Sequence, residues 1–209
     1  MSFEVNKGQT DEKVKFLSRG SGYTLFLTST EAVLSLSRPE ATSDKSLVTD
    51  RSALKKNGER ARPDVLRMRL VGARSTPRVE GAEELSFKSN YFIGNDPKKW
   101  RTDVRQYAKV KYTGVYPGID LLYYGSQREL EYDFIVAPGA SPSKIRLAFK
   151  GAEEVSIDGE GDLIFRTEGG EVRQPKALHL SGGGKWPQRD RRAVREERQT
   201  GSGLRGWGV

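Results

Sequence analysis

Glu129, Glu131 and Asp133 stand two residues apart in ELEYDFIV, a spacing that puts three carboxylates on one face of a strand. Paired carboxylates could act as general acid and base on a glycosidic bond if a cleft held the sugar between them. Their alternation with Leu130, Tyr132, Phe134 and Val136 supports a plainer reading, the acidic, solvent-facing side of a half-buried strand. Were a concave sheet to gather carboxylates and aromatics for carbohydrate chemistry, Tyr107, Tyr123, Glu129 and Glu131 would be its residues. Asp158-Gly159-Glu160-Gly161-Asp162 has the oxygen spacing of half a calcium loop, but it lacks the closing bidentate glutamate and lies between two alternating runs. A hairpin turn is expected there.

Other constellations fail at the first step. His179 is the single histidine and there is no cysteine, which removes Ser-His-Asp and Cys-His nucleophiles, multi-histidine metal sites, cysteine zinc sites and disulfides. The glycines of Gly20-Ser21-Gly22 and Gly182-Gly183-Gly184 lack the Lys-Ser/Thr of a phosphate loop. No catalytic residue, metal or cofactor is expected, and the chain reads as a non-enzyme. The best candidate for a contact surface is the turn Asn95-Asp96-Pro97-Lys98-Lys99-Trp100-Arg101, where Asn95, Asp96, Trp100 and Arg101 could meet a sugar or a protein edge. The plainer alternative has Trp100 capping the open end of the fold while Asn95 and Asp96 bond their own turn.

The elements that must position these residues follow from periodicity. Tyr23, Leu25 and Leu27, then Ala32, Leu34 and Leu36, alternate on either side of a polar Thr28–Glu31 turn, which predicts a hairpin. Leu66, Met68 and Leu70 alternate with Arg67 and Arg69. Ala108, Val110 and Tyr112 alternate with Lys109 and Lys111, and Tyr116-Pro117-Gly118 turns the chain into IDLLYY, an apolar strand covered on both faces. Ile145, Leu147 and Phe149 make another strand. Val155 and Ile157 pair with Leu163 and Phe165 across the Asp158–Asp162 turn, and Gly169-Gly170 leads into Glu171–Arg173. No run has a helical period beyond a short turn near Asp96–Val104. About ten short strands with frequent turns predict an all-β, antiparallel β-sandwich over residues 1–177, with a long loop at 38–63.

At 209 residues, 35% hydrophobic and 31% charged, the chain can bury a core, and no apolar run reaches the roughly 18 residues of a membrane span. Its net charge is +8, but residues 181–209 hold seven of the 36 basic and three of the 28 acidic residues, and so half of that excess. The nearly balanced remainder argues against a nucleic-acid face.

The runs FEVNKGQTDEKVKFLSRGSGYTLFLTSTEAVLSL, VLRMRLVGA, SNYFIGNDPKKWRTDV, YAKVKYTGVYPGIDLLYYG, LEYDFIVAPGASPSKIRLAF and GDLIFRTEGGEVRQPKA together resemble an uncharacterised bacterial domain. That domain lies N-terminal to seven-bladed β-propeller (SBBP) repeats in large exported surface proteins. The resemblance covers about Ser2 to Ala177 and implies a non-enzymatic structural or adhesive module, extracellular or at the cell surface. Its implied partners are the neighbouring propeller repeats or an extracellular protein or glycan. A carbohydrate-active or carbohydrate-binding sandwich is the alternative. The family lends no catalytic residues.

Two departures stand out. The sequence opens at Met1-Ser2-Phe3 without a signal peptide, so a chain made in this form would be cytoplasmic. After Ala177 the alternation gives way to a Gly- and Arg-rich tail, residues 178–209. Codons for His179–Gly183 read one base later permit Ile-Tyr-Gln-Glu, a strand-like opening, so the tail is expected to be frameshifted and disordered. The chain would then be a fragment whose sandwich is incomplete at its C-terminal edge.

Overall fold

The computed structural model describes residues 1–37, 62–126, 129–176 and 203–206; the expected loop at 38–63 and tail at 178–209 therefore lie almost wholly outside the described residues. Strands run β1 Phe3–Val5, β2 Phe16–Gly20, β3 Tyr23–Leu27, β4 Glu31–Leu36, β5 Asp64–Leu70, β6 Arg78–Tyr91 and β7 Arg101–Tyr116. They continue as β8 Ile119–Ser126, β9 Glu129–Val136, β10 Leu147–Lys150, β11 Glu154–Ile157, β12 Leu163–Thr167, β13 Gly170–Gln174 and β14 Gly203–Gly206. Every pairing is antiparallel, in one large sheet and a small sheet ordered β11-β12-β13. The all-β antiparallel expectation holds, with two strands far from short: β6 has 14 residues and β7 has 16.

The large sheet forks at β7. One edge of β7 pairs with β6 along its length, Thr113 with Arg78 through to Arg101 with Tyr91. The other edge is shared: Gln106 and Tyr107 pair with β1, and the strand from Lys109 onward pairs with β8. From this fork one wing runs β1-β2-β3-β4-β5-β10 and the other β8-β9-β14. The apolar faces of both wings meet in a single core that includes Phe3, Leu25, Met68, Tyr112, Tyr123 and Phe134. Tyr hydroxyls tie the wings together. Tyr112 donates to Thr28 O at 2.7 Å, and Tyr116 donates to Arg146 O at 3.1 Å.

Local chemistry explains the turns. Thr28 Oγ1 accepts from Glu31 N at 3.0 Å and closes the β3–β4 hairpin, while Gly118, at φ 73°, supplies the left-handed residue between β7 and β8. Gly151 is obligatory for another reason as well. Its φ is 101°, and a Cβ there would meet Val65 O at 1.9 Å. The small sheet caps the core through Phe165, fully buried and 4.7 Å from the Phe149 ring. Asp64 at the start of β5 accepts from Thr167 Oγ1 at 2.9 Å and from Gly169 N at 2.6 Å, and Gln174 donates to Tyr132 OH at 3.0 Å.

One expectation is overturned on β9. Leu130, Tyr132 and Phe134 are buried as the alternation requires, but Glu131 and Asp133 are buried too, at 5% and 7% exposure. Their face is covered rather than open to water. Tyr124 on β8 donates to Glu131 at 3.1 Å and to Asp133 at 3.0 Å, which offsets part of the cost of desolvating them.

Candidate contact surface at the tip of the β6–β7 ribbon

Beyond Tyr91 the ribbon ends in Phe92-Ile93-Gly94-Asn95-Asp96, a single 3-10 turn at Pro97–Lys99, and Trp100. Proline presets the turn, and Asp96 caps it: its carboxylate accepts from Lys98 N at 3.0 Å. The remaining turn donors are also bonded locally, Lys99 N to Asp96 O and Trp100 N to Pro97 O. Trp100 stands edge-on to Phe92 with ring centroids 5.2 Å apart, and its indole N–H donates to Gly94 O at 3.1 Å. Arg101 folds back, donating to Lys98 O and Trp100 O.

The tip therefore carries apolar side chains beside a 3-10 turn whose backbone N–H groups are bonded locally. Phe92 and Ile93 are each 63% exposed, and Trp100 is half-buried. Lys98 and Lys99 are exposed and make no ion pair among the described residues. Of the four residues read from sequence as a contact surface, all lie here. Asp96 and Arg101 organise the turn, Asn95 is exposed, and Trp100 supports Phe92 at the tip, outside the principal core. Sequence reasoning missed Phe92 and Ile93. Their signal was two adjacent bulky apolar residues abutting a Gly-Asn-Asp-Pro turn, where a strand cannot bury both faces.

Behind the tip, the ribbon is fastened to the β1–β2 wing by a buried polar network. Glu4, 4% exposed, accepts from Arg19 Nη1, from Tyr91 OH at 2.7 and 2.5 Å and from Gln106 Nε2 at 3.2 Å. Gln106 also donates to Ser89 Oγ at 2.9 Å, and the Arg19 guanidinium stacks 5.4 Å from the centre of the Tyr91 ring. Glu4 shares its face with its register partner Leu17, which is fully buried but outside the principal core. The far half of the ribbon thus covers the outer face of β1–β2.

The carbohydrate candidates do not converge. Tyr123 is in register with Tyr132 and faces the core, whereas Glu131, adjacent to Tyr132, points to the opposite face of the sheet. Tyr107 packs over Gly81 and edge-on to Phe16, at 5.8 Å. Glu129 sits at the register position opposite Ser126. A groove of about 420 Å³ beside the β1–β2 loop is lined by Val5, Val14, Phe16 and Val79, with Glu12 and Lys15 as its ionisable groups. Among the described residues no three Asp, Glu or His side chains converge as a metal site. His179 lies outside the described residues.

Asp158–Asp162 forms the expected hairpin turn between β11 and β12. Asp158 Oδ1 accepts from Glu160 N at 2.9 Å and Asp162 N at 3.0 Å, while Arg173 donates to both carboxylates at 2.5 and 3.0 Å. The bond from Asp162 N, then those from Glu160 N and Arg173, hold the Asp158 carboxyl below the usual range. Its oxygens are engaged by the chain itself.

Residues 3–181 match the domain of unknown function DUF7948. The chain belongs to this family. No curated protein and no solved structure matches it. Among the described residues no helix is long and apolar enough to cross a membrane.

Proposed function

We propose that this DUF7948 domain is a non-enzymatic interaction module, structural or adhesive, of a bacterial cell-surface or secreted protein. It serves its parent by contact: with neighbouring SBBP-type propeller repeats through strand edges, and with an external surface through the β6–β7 tip. The observation that carries the reading is the pair Phe92 and Ile93, each 63% exposed beside a 3-10 turn whose backbone N–H groups are bonded within it. Exposed apolar side chains are costly to display and gain by burial against a second surface. A carbohydrate-active reading draws less support, since Tyr123 and Glu131 lie on opposite sheet faces.

The test places a photoreactive phenylalanine analogue at Ile93, or at Thr102 as a control, in the parent protein expressed in its own cells. Adducts concentrated at position 93 are expected. Equal labelling at the two positions, or glycosidase, esterase or phosphatase turnover that Glu131→Gln abolishes, overturns the proposal.

A further inference from the structure

Building on that reading of the tip, we infer that the external surface it meets is an anionic lipid bilayer, entered to the depth of the headgroups. Three observations lead there. Residues 92–99 are all exposed at the end of the ribbon, so a partner need not supply a matching pocket, and a bilayer interface is such a partner. Phe92 and Ile93 form the exposed apolar apex, and Trp100 stands beside Phe92 with its indole N–H already bonded to Gly94 O. Aromatic residues of this kind favour the interface, where the ring leaves water without losing a hydrogen bond.

The third observation is charge. Residues 92–101 hold Lys98, Lys99 and Arg101 against Asp96 alone, a net of +2. Arg101 and Asp96 are occupied within the turn, which leaves the two lysines to meet anionic headgroups as the apex inserts. Desolvation of the 3-10 turn itself costs little, because Lys98 N, Lys99 N and Trp100 N are bonded internally and residue 97 is proline.

The experiment uses the full chain with Trp186→Phe and Trp207→Phe, so that indole fluorescence reports Trp100 of the three tryptophans. It is mixed with vesicles of phosphatidylcholine plus phosphatidylglycerol, or of phosphatidylcholine alone. A blue shift with co-sedimentation is expected on the anionic vesicles. Lys98→Gln/Lys99→Gln should weaken binding about 30-fold, on the scale of two interfacial lysines. Phe92→Ser/Ile93→Ser should abolish the shift while the far-ultraviolet circular dichroism stays unchanged. Binding that survives both pairs of substitutions comes from charge elsewhere in the chain and overturns the inference. So does the absence of vesicle binding; adducts to a protein from position 93 would then leave the module standing with a protein as its partner.

Discussion

Replacing Glu4 with alanine should destabilise the domain far more than replacing its charged partner. The carboxylate is 4% exposed and accepts from Arg19, Tyr91 and Gln106. Its removal leaves the buried Gln106 amide and the half-buried Tyr91 hydroxyl short of an acceptor. Hydrogen bonds to a charged group contribute about 1.5–3 kcal/mol each, and stripping one partner from a fully buried ion pair costs about 3–5 kcal/mol. The Arg19 side chain is 48% exposed, so its share is screened and the lower end applies. Glu4→Ala is expected to cost about 3 kcal/mol, and Arg19→Ala less than about 1 kcal/mol. In urea, with a slope of about 2 kcal/mol per molar, the midpoint of Glu4→Ala falls by about 1.5 M. Tyr91→Phe in both backgrounds completes a double-mutant cycle whose coupling isolates the Glu4–Tyr91 bond. If Glu4→Ala costs no more than Arg19→Ala, the network is an ordinary surface pair and the ribbon is not anchored through it.

Phe165→Ala should cost about 3–5 kcal/mol and shift the single unfolding transition of the whole domain, whereas Ile157→Ser, at a position 70% exposed on β11, should stay within about 0.5 kcal/mol. A separate early transition for the small sheet would refute its place in the common core. Tyr112 and Tyr123 are fully buried, and burial raises their hydroxyls well above the ordinary 10.0; for Tyr123 the neighbouring tyrosines add to it. The folded state thus holds them neutral while the unfolded chain ionises them. Their contribution is complete below pH 10.0 and is lost progressively above it. An alkaline absorbance titration should show at least two of the eight tyrosines, Tyr112 and Tyr123 among them, ionising only as the fold is lost. Ionisation of all eight together in the native state would contradict the buried assignment.

Period-two alternation on its own determined the antiparallel all-β class and most of the core. Leu25, Leu66, Met68, Val110, Tyr132 and Phe134 are buried where the pattern puts them, because a strand's side chains alternate whatever the topology around it. The same local rule made Asp158–Asp162 and Tyr116-Pro117-Gly118 legible as turns, since turn chemistry is settled within four or five residues. It could not say which faces are covered. Glu131 and Asp133 read as solvent-facing, and Glu4 carried no signal at all, because their burial depends on a neighbouring strand and on a ribbon that folds back from about 90 residues away. The length of β6 was hidden as well: RVEGAEELSFKSNY is mostly exposed and so has no apolar period to read. Type and turn alone marked Trp100 as a candidate contact residue. Only the tertiary structure decided that it stands against Phe92 at a tip where Phe92 and Ile93 are exposed, because whether an apolar pair is core or surface depends on what lies across from it.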